Sequence, residues 1–296
     1  IVAANQADDD GIGSFGSNYA LRGSMNNHQW YGNVTNLSTQ LTENIEWSVG
    51  ADFRWYTGDH FRQLTNLLGL DSYQDSFRNS TRGSDYVVSE TFNPSPWAAL
   101  FNFADEANRI AYDYSETINY QGLFTQLEFA NETVSTFIQA ALSNQSYQRE
   151  GRWADVGESD KLSKVGYNVK GGASYSINEG NIIFANAGVY SRQPFLDNIF
   201  TNIRYSNELI TAGNGTGVEN ESIVGLEVGY KFEISNFRAN VNAYSTSWGN
   251  RSIVNVFLDD NGTEMDESDD FNLRQVQRGL SQSHVGAEID LRYRVG

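Results

Sequence analysis

The sequence predicts an all-β fold, a transmembrane antiparallel β-barrel with long external loops and short periplasmic turns. Three observations predict it. Apolar and polar residues alternate along repeated segments, these segments are longer than the five or six residues of an ordinary strand, and short and long connections follow one another in turn. Because successive side chains of a strand lie on opposite faces, each alternating segment has one apolar and one polar face.

The segment IEWSVGADFRWY shows this alternation most clearly. Its odd-numbered residues, from Ile45 to Trp55, are all apolar, whereas the even-numbered residues include three charges. A helix would mix these two sets around its circumference. The same pattern recurs along the chain and predicts nine strands, at residues 27–41, 45–58, 116–130, 134–147, 164–177, 182–192, 221–233, 237–248 and 283–294.

The connections between these strands alternate in length. Short polar turns are expected at 42–44, 131–133, 178–180 and 234–236, and long connections at 59–114, 148–163, 193–220 and 249–282. This asymmetry is typical of membrane barrels, which have tight turns at one end and long loops at the other.

The length of these segments indicates that they cross a bilayer, which in turn indicates the surroundings of each face. A tilted strand needs roughly nine to eleven residues to cross a bilayer, so the apolar face is expected to meet lipid and the polar face a wet lumen. The lipid-facing set is predicted to include Val49, Ala51, Val169, Val228, Val241 and Ile289. The lumen-facing set is predicted to include Glu46, Asp52, Arg54, Lys170, Glu227, Arg238, Glu288 and Asp290.

Composition excludes several classes of function. The net charge of −17 argues against nucleic acid as a partner, because phosphate binding requires a basic surface. The absence of cysteine excludes disulfides and thiolate metal sites. No nucleophile-elbow, P-loop or zinc-protease spacing is present, so the chain is not expected to be an enzyme.

The longest connection carries aromatic residues that are candidates for ligand contact. Trp97, Phe101 and Phe103 lie within NPSPWAALFNF. Connections above about fifteen residues are usually functional or disordered, and aromatic residues argue against disorder. These residues are therefore expected to form a ligand platform, or alternatively a self-packed lid or an anchor at the membrane girdle.

The connection after residue 192 is a second candidate. Pro194 cannot donate to a strand ladder and fits a strand end, and an apolar cluster follows it. This loop is expected either to fold inward over the lumen, where it would contact a ligand or another domain, or only to pack against its neighbours. The candidate contact residues are Arg192, Phe195, Asn198, Phe200, Arg204 and Tyr205.

An acidic run near the C-terminus is a candidate calcium site. Calcium takes six to eight oxygen ligands, which Asp259, Asn261, Asp266 and Asp270 could supply. The run lacks the complete calcium-loop pattern, so a solvated acidic loop is the alternative. No other cofactor is expected.

Several motifs together resemble one family. NNHQWYG, GADFRWYTGDHFRQLTNLLG, GLFTQLEF, NVKGGASYSINEGNIIFANAGVYSRQPFLDNIF, ESIVGLEVGY and FRANVNAYSTSWGNRS are similar to the barrel of TonB-dependent outer-membrane receptors, in the form common among Bacteroidetes. The resemblance runs from about Asn26 to Tyr293. It is weakest at 1–20, 71–115 and 255–275.

The resemblance implies a 22-stranded barrel in the bacterial outer membrane, filled by a plug domain of the same chain. It implies TonB-driven uptake of a scarce nutrient such as a siderophore, glycan or peptide-like ligand. Expected partners are outer-membrane lipids, the plug, the TonB complex and a surface lipoprotein.

The plug and the TonB box have no counterpart in this sequence. Residues 1–296 are therefore expected to be one incomplete barrel segment, without the plug and the closing strand, and a complete small barrel is the alternative. A passive porin and a secreted β-rich adhesin remain as alternative functions.

Overall fold

The computed structural model describes residues 1–7, 11–14, 18–75, 86–153, 155–210, 217–259 and 271–295. None of the helices in these ranges is long and apolar enough to cross a membrane. The helices are α1 (Val2–Asn5), α2 (Pro96–Ala99) and two 3-10 turns, Glu106–Asn108 and Leu196–Asn198. The strands are β1 (Ile12–Ser14), β2 (Leu21–Thr42), β3 (Ile45–Asn66), β4 (Ser72–Gln74), β5 (Val87–Val88), β6 (Arg109–Ala130), β7 (Val134–Gly151), β8 (Gly157–Glu158), β9 (Leu162–Asn178), β10 (Asn181–Arg192), β11 (Glu221–Ile234), β12 (Phe237–Asp259) and β13 (Phe271–Tyr293).

The nine predicted strands are confirmed and form one large antiparallel sheet. Its order is β13-β12-β11-β10-β9-β7-β6-β3-β2, so each long strand lies beside the long strands that precede and follow it in the chain. The short strand β8 pairs with β7, and β1, β4 and β5 form a separate small sheet. Within the described ranges, β2 and β13 are each paired along one side only.

Most strands extend further toward the long loops than the sequence predicts, whereas β10 and β11 end at Arg192 and begin at Glu221 as predicted. The connection predicted at 59–114 spans only 67–108, and the one predicted at 249–282 spans only 260–270, because β12 and β13 remain paired up to Asp259 and Phe271. The alternation of apolar and polar residues fades where a strand leaves the apolar band, although its backbone ladder continues. Boundaries drawn from alternation alone therefore end too early.

One face of the sheet, here the outer face, is apolar and exposed. All six predicted lipid-facing residues lie on it, and among them Val169, Val228, Val241 and Ile289 are exposed. Aromatic residues bound this apolar band at both ends. Those near the short turns are Trp47, Tyr175, Tyr230 and Tyr293, and those toward the long loops are Tyr31, Trp55 and Tyr167. An apolar band between two aromatic rows is typical of transmembrane barrels.

The opposite, inner face is stabilised by aromatic rings that lie over glycines of the neighbouring strand. Phe184 lies directly across from Gly229, and a Cβ atom added to that glycine would overlap the ring. The cross-strand pairs Phe124 with Gly50, Phe137 with Gly172 and Tyr244 with Gly286 have the same arrangement. Because glycine has no side chain, these large rings can lie flat against the neighbouring strand.

Candidate functional site on the inner face

The eight charged residues predicted to face the lumen share the inner face. Cross-strand partners lie on the same face of a sheet, and the pairing places Asp52, Arg54, Lys170, Glu227 and Glu288 together with the other three, Glu46, Arg238 and Asp290. Ion pairs connect several of them to neighbours. Arg54 lies 2.5 Å from Asp52, and Arg238 lies 2.6 Å from Glu233. The inner face is therefore a polar wall of interleaved positive and negative charges.

A recess of about 600 Å³ lies in this wall and is lined by residues of β7 and of β9 to β13. Glu227 lies within it, and its carboxylate accepts hydrogen bonds from the amides of Asn186 (3.2 Å) and Asn242 (3.0 Å). Tyr190 and Glu288 also line the recess. Amide donors thus fix the orientation of one carboxylate, and further donors and acceptors surround it. A polar ligand or a polar protein surface could form hydrogen bonds there.

A hydrogen-bonded cluster on β2, β3 and β6 was not predicted from the sequence. Glu116 Oε1 accepts a hydrogen bond from the Tyr56 hydroxyl (2.7 Å) and lies 2.8 Å from His60 Nε2. His60 Nδ1 lies 2.7 Å from Asn26, and His28 Nδ1 lies 2.7 Å from the Tyr56 hydroxyl. The only signal in the sequence was that these residues share the inner-face parity of their strands.

The cluster lies beyond Trp55, on the loop side of the apolar band. Burial disfavours the charged form of Glu116, but the hydrogen bonds from His60 and Tyr56 outweigh it and lower the pKa of this carboxyl. Glu116 is therefore held ionised and links β6 to β3 at this level, and His28 and Asn26 extend the cluster to β2.

The loop that follows β10 folds onto the inner face. Residues 193–210, here called the inner loop, contribute Leu196, Ile199 and Phe200 to a buried cluster. The wall contributes Tyr114 and Tyr147 to the same cluster. The Tyr147 hydroxyl donates a hydrogen bond to Pro194 O (2.7 Å). The inner loop is thus an inward-folded part of the wall.

Arg149 on β7 connects the wall to this loop. Its side chain is fully buried, and it donates to Ile203 O (2.5 Å), to Arg204 O (3.0 Å) and to the side chain of Asn207. The guanidinium also lies 5.6 Å from the Tyr114 ring. Burial lowers the pKa of Arg149 to about 10. A buried cation is satisfied here by carbonyl and amide oxygens of the loop.

The predicted contact residues of this region differ in exposure. Phe200 is fully buried and Asn198 and Tyr205 are half-buried, so these three hold the loop in place. Phe195 is exposed, with the Arg192 guanidinium 4.5 Å above its ring. The Arg204 guanidinium lies 4.8 Å from the Tyr112 ring. The exposed surface of the inner loop therefore includes Phe195 and Arg204, and Arg192 at the end of β10 adjoins it.

The other predicted aromatic group lies on the opposite side of the wall. Phe61 shares the outer face with Trp55, and it is buried by Phe92 and Ala104. The Phe103 ring lies 6.1 Å from the Phe61 ring and is 39% exposed, and Trp97 and Phe101 are more exposed still. The structure therefore does not bring Trp97, Phe101 and Phe103 together with the residues of the inner loop.

The predicted calcium site falls largely outside the described ranges. Asp259 is the last residue of β12, and Asn261, Asp266 and Asp270 lie among the residues that are not described. In the part of the chain that the structure describes, no group of three or more His, Asp or Glu could hold a metal ion. The calcium site stays a prediction.

Comparison with known proteins identifies the fold. No protein-family model and no curated protein matches the sequence. Among solved structures, a copper transporter, OprC, matches 93% of the chain with a TM-score of 0.61 and 11% identity. The ferric citrate transporter FecA, in its unliganded form, matches 92% with a TM-score of 0.54 and 12% identity. The fold is that of bacterial outer-membrane β-barrel proteins.

The matched segment is only part of each of these structures. The chain covers 36% of the copper transporter and 33% of the ferric citrate transporter, so it spans about a third of their length. At this level of identity the likeness establishes the architecture, and it agrees with the location predicted from the two-faced strands.

Proposed function

We propose that this chain forms part of the barrel of a TonB-dependent outer-membrane transporter that takes up a scarce nutrient, such as a siderophore, a glycan or a peptide-like ligand. The observation that carries the proposal is a sheet of nine long strands with an apolar outer face, a charged inner face and a loop folded onto that inner face. Such a wall separates lipid from a polar passage.

The unpaired edges of β2 and β13 support a larger barrel. Each unsatisfied backbone group in hydrocarbon costs several kcal/mol, so membrane-spanning sheets are closed. Both edges are unpaired within the described ranges, and we infer that further strands of the whole protein pair with them. A plug domain of the same protein would then contact the recess around Glu227 and the exposed residues of the inner loop.

The partners follow from the same architecture. Outer-membrane lipids would cover the apolar band, the TonB complex would supply energy through the plug, and a surface lipoprotein would assist capture at the long loops. A secreted adhesin is disfavoured, because Val169, Val228 and Ile289 would then be exposed to water.

The proposal is tested by asking whether uptake requires TonB, because active uptake requires it and diffusion through a passive channel does not. The experiment compares uptake of radiolabelled siderophores, oligosaccharides and peptides by cells with and without the gene, each in a background with and without TonB. We expect one nutrient class to lose uptake equally in the gene deletion and in the TonB deletion. Gene-dependent uptake that persists without TonB would contradict the proposal and indicate a passive porin.

A further inference from the structure

Residues 91–104, here called the outer ledge, return to the wall on its lipid-facing side. The Phe92 amide donates to Leu64 O (2.9 Å), and the Ala104 amide donates to the side chain of Gln63 (2.8 Å). Gln63 and Phe61 share the outer face with Trp55 and the apolar band. The ledge is therefore attached outside the barrel, above the band, and does not line the lumen.

The attachment covers both ends of the ledge and leaves its middle exposed. Phe92 and Ala104 are buried against Phe61. In contrast, Trp97, Leu100 and Phe101 are 81%, 58% and 86% exposed. These three large apolar side chains, one on α2 and two directly after it, form an exposed apolar patch, and such patches usually contact a membrane or a protein.

The charge distribution favours a lipid surface over a protein partner. No residue from Thr91 to Ala104 is charged, although 19% of the chain is charged. Below the ledge, Arg109 and Arg152 pair with Asp59 and Asp113 on the outer face, at distances of 2.7 to 3.2 Å. An uncharged aromatic segment above an ion-paired collar suits the interfacial zone of a membrane, where Trp and other amphipathic or apolar side chains accumulate.

The ledge is attached to the strand that carries Trp55. Its attachment points, Gln63 and Leu64, lie eight and nine residues beyond Trp55, which is about 30 Å along the strand and about 20 Å along the axis of a barrel with ordinary tilt. Trp97 lies five residues from Phe92, and even an extended chain spans only roughly 3.3 Å per residue. The ledge is therefore positioned above the aromatic row, at the level of the headgroup zone.

We propose that the outer ledge is an interfacial anchor that inserts Trp97, Leu100 and Phe101 into the outer leaflet beside the barrel. Pro94 and Pro96 restrict the backbone just before these residues and present them as one unit. The anchor would fix the height and tilt of the barrel at this sector of the wall. It requires a barrel in a membrane, but it does not depend on which nutrient is transported or on TonB.

This chain contains no cysteine, so a single-label test requires only that any cysteine elsewhere in the full-length protein be replaced by serine. A nitroxide is attached to the F101C variant of the full-length protein in lipid vesicles, and its collisions with oxygen and with a water-soluble nickel chelate are compared. Ile138→Cys in the apolar band is the lipid reference, and Lys161→Cys, at an exposed position in the connection just before β9, is the water reference. We expect position 101 to favour oxygen over nickel, between the two references and nearer to Ile138.

Two outcomes would overturn the anchor. A nickel preference equal to that at position 161 would mean that the ledge stands in water, and low collision rates with both reagents would mean that protein covers it. Heat-dependent migration of each variant in electrophoresis verifies folding. Trp97→Cys provides an independent second site, which must report the same environment.

Discussion

The inner loop and the outer ledge return to the same wall on opposite faces and are held in different ways. The inner loop is fixed by a buried apolar cluster and by Arg149, whose side chain reaches three groups of the loop. The outer ledge is attached only near its two ends, through Phe92 and Ala104, and its middle is exposed. The inner loop is therefore packed into the protein, whereas the middle of the outer ledge is available to contact its surroundings.

This difference shows that the face of the sheet to which a loop returns determines how the loop must be stabilised. A loop that folds inward must satisfy the polar groups it buries, and here Arg149 and Tyr147 donate to its carbonyl oxygens. A loop that folds outward can leave apolar side chains exposed where lipid is available to cover them. This comparison holds only if the inner and outer faces of the sheet are assigned correctly. The first test is therefore of the face assignment.

The largest expected effect on stability comes from introducing a charge into β9. Two adjacent positions are compared, one on each face of the sheet. Val169 lies on the outer face near the middle of this strand. The Val169→Arg variant should lower the free energy of unfolding by about 2–4 kcal/mol, because lipid does not solvate the guanidinium. Urea titration of the full-length protein in lipid vesicles measures this free energy.

Asn168 provides the matched control because it is the preceding residue and lies on the inner face opposite Tyr190. Asn168→Arg places the same charge in the lumen and should change stability by less than about 1 kcal/mol. Equal losses for the two variants would mean that the faces are assigned wrongly, and the distinction between an inner loop and an outer ledge would then fail.

Removing Arg149 tests how the inner loop is held. Arg149→Met keeps most of the side-chain volume but removes the donors to Ile203 O and Arg204 O. The loss should destabilise the closed loop by about 2–3 kcal/mol, since hydrogen bonds from charged groups are strong and the buried carbonyls lose their donor. Hydrogen exchange within 193–210 should therefore become roughly 30- to 160-fold faster.

The outer ledge is the internal reference for this measurement, because exchange within 91–104 should not change. Arg54→Met is the matched variant, since Arg54 is 55% exposed and pairs only with Asp52 and the Tyr120 ring among its described contacts. Unchanged exchange of the inner loop in Arg149→Met would show that the apolar cluster alone holds it.

The sequence predicted the faces of the wall well, because a membrane imposes the same requirement on every strand. From Trp47 to Trp55 each second residue had to be apolar, and the pattern was visible without knowing any partner strand. The strand ends were predicted poorly, since beyond the band neither face has a uniform solvent. The 22 residues of β3, for example, extend to Asn66.

The site was only partly predictable, because it depends on contacts between distant residues. His60 meets Glu116 only through the pairing of β3 with β6, 56 residues apart in the chain. Phe200 and Phe195 were indistinguishable in sequence, yet one is buried against β6 and β7 and the other is exposed. Likewise, the sequence left open whether Trp97 and Phe101 form a ligand platform or an anchor at the membrane girdle, and the contact of Phe92 and Ala104 with Phe61 placed them on the outer side.

A smaller effect should come from the aromatic rings that cover glycines on the inner face. Gly229 lies under the Phe184 ring, whereas Gly225, on the same strand and face, has no atom within 4 Å of an added Cβ. Gly229→Ala forces the ring to move and should cost about 1–2 kcal/mol in unfolding free energy. Gly225→Ala should be neutral or slightly stabilising, because alanine restricts the unfolded chain without a clash. Both variants share that backbone term, so the difference between their urea midpoints isolates the ring contact, and equal midpoints would contradict a packed inner face.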